Sequence, residues 1–195
     1  MSPRPGIDRL HLLQTAAELA DESGFHTITL AALAGRLGVR SPSLYNHIDG
    51  LPGLHQALTL CGLQVLQQQL LNVLAGRSGQ DALRHACLTY VHFARTRPGL
   101  YEAALQPILP EQREIQQVGD QIVELLLQVL APFSLERAEA LHTVRMLRSL
   151  CHGFASLERA GQFALDLDRN ASLEFMITVF IDGLNLHEDD HEHNV

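Results

Sequence analysis

The chain has 195 residues, 14 basic against 22 acidic side chains, and a formal net charge of −8; every basic residue is an arginine, and leucine fills 36 positions. An apolar share of 46% supports a packed core, which excludes a disordered chain. The acidic balance excludes a protein that coats nucleic acid without specificity, and the Leu- and Ala-rich mix favours helix.

Apolar residues recur at helical spacing throughout, and no segment alternates at period two for long. A first helix is predicted from Ile7 to Ser23, closed by Gly24. Thr29 is a good N-cap for a short helix carrying Leu30, Leu33, Ala34 and Leu37, which Gly38 ends. Ser41 then reads as an N-cap and Pro42 as a first-turn residue of a helix reaching Ile48. Further helices are predicted over Leu51–Leu74, Asp81–Thr96, Leu100–Leu105, Glu111–Leu130, Ser134–Ala160 and Ser172–Leu186, separated by glycine and proline breaks. The fold class is therefore all-α, with about nine helices. Three parts are expected: a head over 1–50, a helical body over 51–187, and an acidic, His-containing tail over 188–195 that is disordered.

No apolar run reaches the length of a bilayer span, and the start is no signal peptide. Cys61, Cys87 and Cys151 are odd in number and far apart, so neither a disulfide framework nor a zinc knuckle is expected, and a reducing cytoplasm fits. There is no Gly-rich phosphate loop, GxSxG, HExxH or EF-hand pattern, so no enzyme and no cofactor are expected. Eleven His raise the alternative of a metal-responsive protein, but His85 with His92, and His187, His191 and His193 in the tail, form no tight ligand cluster.

The stretch Leu33-Ala34-Gly35-Arg36-Leu37-Gly38-Val39-Arg40-Ser41-Pro42-Ser43-Leu44-Tyr45 has the logic of a helix-turn-helix. Two short helices crossing at a wide angle need a small residue where they meet, which Ala34 supplies. Their tight turn needs a residue tolerant of positive φ, which Gly38 supplies. The second helix would enter the major groove with Arg40, Ser41 and Ser43 near base edges and phosphates.

With the Gly24-Phe25 pair, Thr27-Ile28-Thr29-Leu30 and Leu44-Tyr45-Asn46-His47-Ile48, this stretch resembles the DNA-binding domain of TetR-type transcriptional repressors, closely over about residues 7–55 and loosely over the whole chain. The resemblance implies a homodimer on a palindromic double-stranded operator, released when a small molecule binds the C-terminal domain. It implies phosphate contacts from Thr29, Tyr45 and His47, with Arg40, Ser41, Ser43 and Asn46 nearest the bases. Leu147 to Phe154 is similar to the Trp-His-Gly signature of one subgroup, with Cys151 in place of the Trp. Relatives often carry an aromatic residue where Ile48 stands and a lysine where Leu51 stands. With Asp49 beside them, a usual phosphate anchor is missing. Residues 1–50 hold four Arg against five acids, so a modest salt dependence is expected.

In the body, Glu174 and Thr178 are the only polar residues between Leu173 and Ile181, which implies burial on nearly every side of that helix. This helix and the one before it are expected to form a four-helix dimer interface through Leu147, Phe154, Phe175, Val179 and Phe180. A pocket for a mostly apolar effector is expected to draw on His92, Phe93, Tyr101, Arg145 and His152. The rival to a ligand-responsive regulator is a plain helical dimeric scaffold.

Overall fold

The computed structural model describes residues 8–192, with side chains to residue 185. Among the described residues there is no strand. Eight α-helices follow one another: α1 (Arg9–Ser23), α2 (Leu30–Leu37), α3 (Gly50–Leu74), α4 (Gly79–Thr96), α5 (Pro98–Ala104), α6 (Arg113–Leu130), α7 (Arg137–Arg159) and α8 (Arg169–Glu192). Short 3-10 segments lie at Phe25–Thr27, Ser41–Asn46 and Ala131–Phe133. Counting Ser41–Asn46 as the second half of the helix-turn-helix gives the nine expected from sequence.

The chain divides into two compact units, one of residues up to Val65 with Thr96–Val118, the other of Leu66–Arg95 with the chain from Gly119 onward. The first unit is thus larger than the 50-residue head expected from sequence, because α5 returns to pack on α1. The reason is steric and electrostatic at once. A side-chain carbon on Gly99 would lie 2.1 Å from the carbonyl carbon of Ala20, so only glycine lets the two helices touch. Beside it, Asp21 of α1 accepts the backbone N–H groups of Gly99 (2.8 Å) and Leu100 (3.2 Å) and the Arg97 Nε–H (2.6 Å). A carboxylate from α1 therefore caps the first turn of α5, where unpaired donors and the positive helix end favour it. Glu102 returns the contact, accepting the Phe25 N–H at 3.0 Å. Leu12, Ala16, Phe25, Leu33, Leu44 and Leu54 fill the core of this unit.

In the second unit, α4 buries Leu83, Cys87, Val91 and Phe93, α7 buries Val144, Leu147, Cys151 and Phe154, and α8 buries Leu173, Ile177, Phe180 and Ile181. Each such Leu, Ile or Phe contributes about 1.5–3 kcal/mol by leaving water. The polar strip of α8 has a partner on α4: Arg84 pairs with Glu174 and donates to Thr178 Oγ1 at 3.0 Å. Arg95 of α4 ties both later helices, donating to Glu158 of α7 (2.6 and 2.7 Å) and to Asn170 of α8 (2.9 Å).

Helix starts differ from the sequence reading where caps decide them. Glu136 and Glu139 form a capping box that starts α7 at Arg137, since Ser134 sits in a left-handed turn (φ 53°). Asp168 accepts the Ala171 N–H at 2.8 Å and opens α8 at Arg169, ahead of Ser172. At its other end α8 continues to Glu192, so residues 188–192 of the expected disordered tail belong to the helix; 193–195 lie outside the described residues.

Candidate nucleic-acid interface

The head is set by local rules. Thr29 adopts an extended backbone and its Oγ1 accepts the Ala32 N–H at 3.1 Å, so it is the N-cap of α2. Gly38 takes the left-handed conformation (φ 67°) and ends α2. Its own N–H reaches Gly35 O and that of Val39 reaches Ala34 O at 3.0 Å. This Schellman-type turn aims the chain away from α2 at a wide angle.

Arg40 then runs extended, and Ser41–Asn46 winds as a 3-10 helix with Pro42 in its first turn. The sequence reading placed an N-cap at Ser41 and an α-helix to Ile48. Instead Arg40 holds the cap position, and the bonds are the tighter ones from Ser43 N–H to Arg40 O and from His47 N–H to Leu44 O, both 2.9 Å. Leu44 is fully buried and Ile48 nearly so, and these two residues anchor the segment. The opposite side projects Arg40, Ser43, Tyr45 and Asn46 into solvent, and Tyr45 is 61% exposed despite its ring. Ser41 and His47 are half-buried at its edges, and Thr29 is exposed at the start of α2.

The two arginines of this stretch differ. Arg36 is held by Glu22 through a two-pronged ion pair, and the hydrogen bond from Arg36 holds the Glu22 carboxyl below its ordinary range. Arg40 has no ion pair among the described residues, so its guanidinium fork is available to an outside acceptor. His47 also faces a cleft of about 460 Å³ with Arg9, Asp49, Gln56 and Arg113 on its walls. Sequence spacing gave no sign that Arg9 and Arg113 stand near His47, because the segments meet only through the fold.

Of the expected effector residues, Phe93 is buried in the core of the second unit, and Tyr101 is buried in the first. Arg145 is exposed on α7, and His152 stands on the same helix 3.4 Å from the Ser156 hydroxyl. His92 lines an open hollow of about 430 Å³ with His85, Leu88, Thr89, Arg95 and Leu173. Among the described residues no three His, Cys, Asp or Glu side chains are placed to hold a metal ion, and the tail histidines lie outside the described side chains. No single helix among them is long and apolar enough to cross a membrane.

The expected dimer residues also divide. Phe175 (72% exposed) and Val179 (54%) face solvent, whereas Leu147, Phe154 and Phe180 are buried within the chain's own core. An apolar face read from sequence does not say whether its own chain or another covers it. Met146, Leu150 and Leu157 are apolar residues of α7 that stay in reach of solvent.

The comparisons with known proteins agree with this architecture. The family model for the tetracyclin repressor-like C-terminal domain matches residues 83–180. Over 186 residues the chain is 40% identical to YobS, an uncharacterized HTH-type transcriptional regulator of Bacillus subtilis (strain 168), covering 94% of this chain and 96% of that one. It is 28% identical over 179 residues to another uncharacterized HTH-type transcriptional regulator, from Mycobacterium tuberculosis, covering 91% of this chain and 82% of that one. In fold it is similar to a TetR variant from Acinetobacter baumannii AYE crystallised in complex with minocycline, with a TM-score of 0.69 at 18% identity over 93% of this chain and 98% of that one. The chain belongs to the TetR family of transcriptional regulators.

Proposed function

We propose that this regulator is a cytoplasmic repressor that binds a palindromic operator as a homodimer and is released by a small, mostly apolar effector. The observation that carries the reading is the free face of the Ser41–Asn46 segment, where Arg40, Ser43, Tyr45 and Asn46 stand exposed around a buried Leu44. Arginine at the head of a reading element suits a guanine edge, and Asn46 suits adenine. Thr29, Tyr45 and His47 contact flanking phosphates, and Ser41 and Ser43 lie with Arg40 and Asn46 nearest the bases.

Two such segments in a symmetric pair read half-sites one helical turn apart, about 34–36 Å. The exposed Phe175 and Val179 supply the face on which the copies meet. The effector acts by population shift, favouring a conformer in which that spacing is lost. Its binding groups include His92 over the hollow beside α4, and the apolar floor of Leu88 and Leu173 suits a weakly polar molecule. The test is a selection of duplex DNA on the full chain: a two-fold symmetric consensus is expected, and an asymmetric or absent consensus overturns the reading.

A further inference from the structure

The first unit contains five described arginines, and carboxylates claim two of them: Arg36 pairs with Glu22, and Arg97 with Asp21. Arg9, Arg40 and Arg113 are all exposed, and none has an ion pair among the described residues. Arg40 heads the reading segment. Arg9 and Arg113 both line the cleft of about 460 Å³ that His47 faces.

Local structure fixes where each of the two stands. Asp8 accepts the His11 N–H at 2.7 Å and starts α1, which sets Arg9 in the first turn. Ahead of α6, the Gln112 side chain accepts the Leu109 N–H at 2.9 Å, and Gln116 donates to Leu109 O at 3.1 Å. Ile115 is buried, and Arg113, two residues before it, points to the opposite side of α6. The cleft continues along Gly53 and the exposed Gln56 of α3, directly after the turn over 47–49 that leaves the reading segment.

A duplex read by Ser41–Asn46 would carry its phosphates past the edge where His47 sits. Affinity for a phosphate backbone comes from cations, and an arginine fork takes two phosphate oxygens at once. The unpaired guanidinium groups beside His47 suit that partner. Asp49, Glu111 and Glu114 also line the cleft, and their charge works against a phosphate. Cations and acids thus give two opposite handles on one contact.

We infer that Arg113 of α6, with Arg9 of α1, grips the DNA backbone at the edge of the reading segment beside His47. The inference rests on the operator-binding reading above and extends the DNA contact to a helix outside the helix-turn-helix. Such a contact positions the protein and carries no base preference.

The test is fluorescence anisotropy between about 50 and 200 mM salt, on the duplex recovered by selection and on a random duplex. Arg113→Ala and Arg9→Ala are each expected to weaken binding to both duplexes by the same factor, about tenfold, leaving their ratio unchanged. Each is expected to make the log–log slope shallower by about 0.9 for every copy on the DNA. Arg113→Lys keeps the charge and is expected to restore the slope, which a merely structural role would not do. Glu114→Gln removes a repelling charge and is expected to tighten binding to both duplexes. Arg113→Ala with the affinity and slope of the wild type, or a loss confined to the selected duplex at unchanged slope, overturns the inference while the operator reading stands. A wild type that binds the selected duplex no tighter than the random one overturns the operator reading and this inference together.

Discussion

Asp21 and Arg97 are 76 residues apart in sequence and 2.6 Å apart in space. Their pairing joins the end of α1 to the start of α5, and the same carboxylate caps the α5 backbone. The head is therefore held by a joint of two helices and not by the helix-turn-helix alone.

Asp21→Ala removes the cap and the ion pair together while leaving the reading segment untouched. A loss of about 1–2 kcal/mol of stability is expected, from the usual cost of deleting a helix cap. Thermal unfolding checks it, and an unchanged unfolding temperature would show that the joint is not stabilising.

Gly99→Ala places a methyl where Ala20 backbone already lies, at 2.1 Å. Overpacking of this kind costs about 1–3 kcal/mol or more. Because the clash is with backbone, α5 must move off α1, and the variant is expected to unfold earlier than Asp21→Ala in the same assay.

His55 stacks on Phe25 with ring centroids 4.6 Å apart, and its Nε2 is buried without a hydrogen bond. Burial, and then the nearby charge of His26, push its pKa below the ordinary value. The unfolded chain consequently binds more protons than the folded one just below the ordinary imidazole value of about 6.5. Stability is intact above that value and falls as the pH drops through it. His55→Leu, which cannot titrate, is expected to flatten this acid-side loss in melting curves taken between about pH 8 and 5.

Operator affinity is expected to depend only modestly on salt. The head carries few cations, and Arg36 is already engaged by Glu22. A log–log slope no steeper than about −6 is expected, since each neutralised phosphate contributes roughly −0.9. A steeper slope would mean that cations beyond the head reach the DNA.

The parts of the head legible in the sequence are those fixed by neighbours in the chain. Thr29 caps α2 and Gly38 turns it because capping and positive φ are properties of one or two residues. The winding of Ser41–Asn46 was not legible: Pro42 signals a helix start equally for α and 3-10 forms, and the burial of Leu44 and Ile48 decides where the segment sits. The Asp21 joint was illegible for another reason, since nothing local marks a carboxylate whose partners lie on α5. Likewise the polar pair Glu174 and Thr178 was visible as a strip, but its partner Arg84 was not. The dimer face was half legible, because helical spacing finds apolar stripes without saying which of them the chain covers itself.

Titration of the chain onto DNA flanking its own gene, followed by fluorescence anisotropy at physiological salt, decides whether the exposed Ser41–Asn46 segment reads DNA. Nanomolar or tighter binding is expected for the wild type. Arg40→Ala is expected to cost about 1–3 kcal/mol and Tyr45→Ala to weaken binding as well, both with the dimer intact by sedimentation. Wild-type binding no tighter than to random duplex, or an Arg40→Ala variant that binds as the wild type does, would show that this segment is not the operator-reading element.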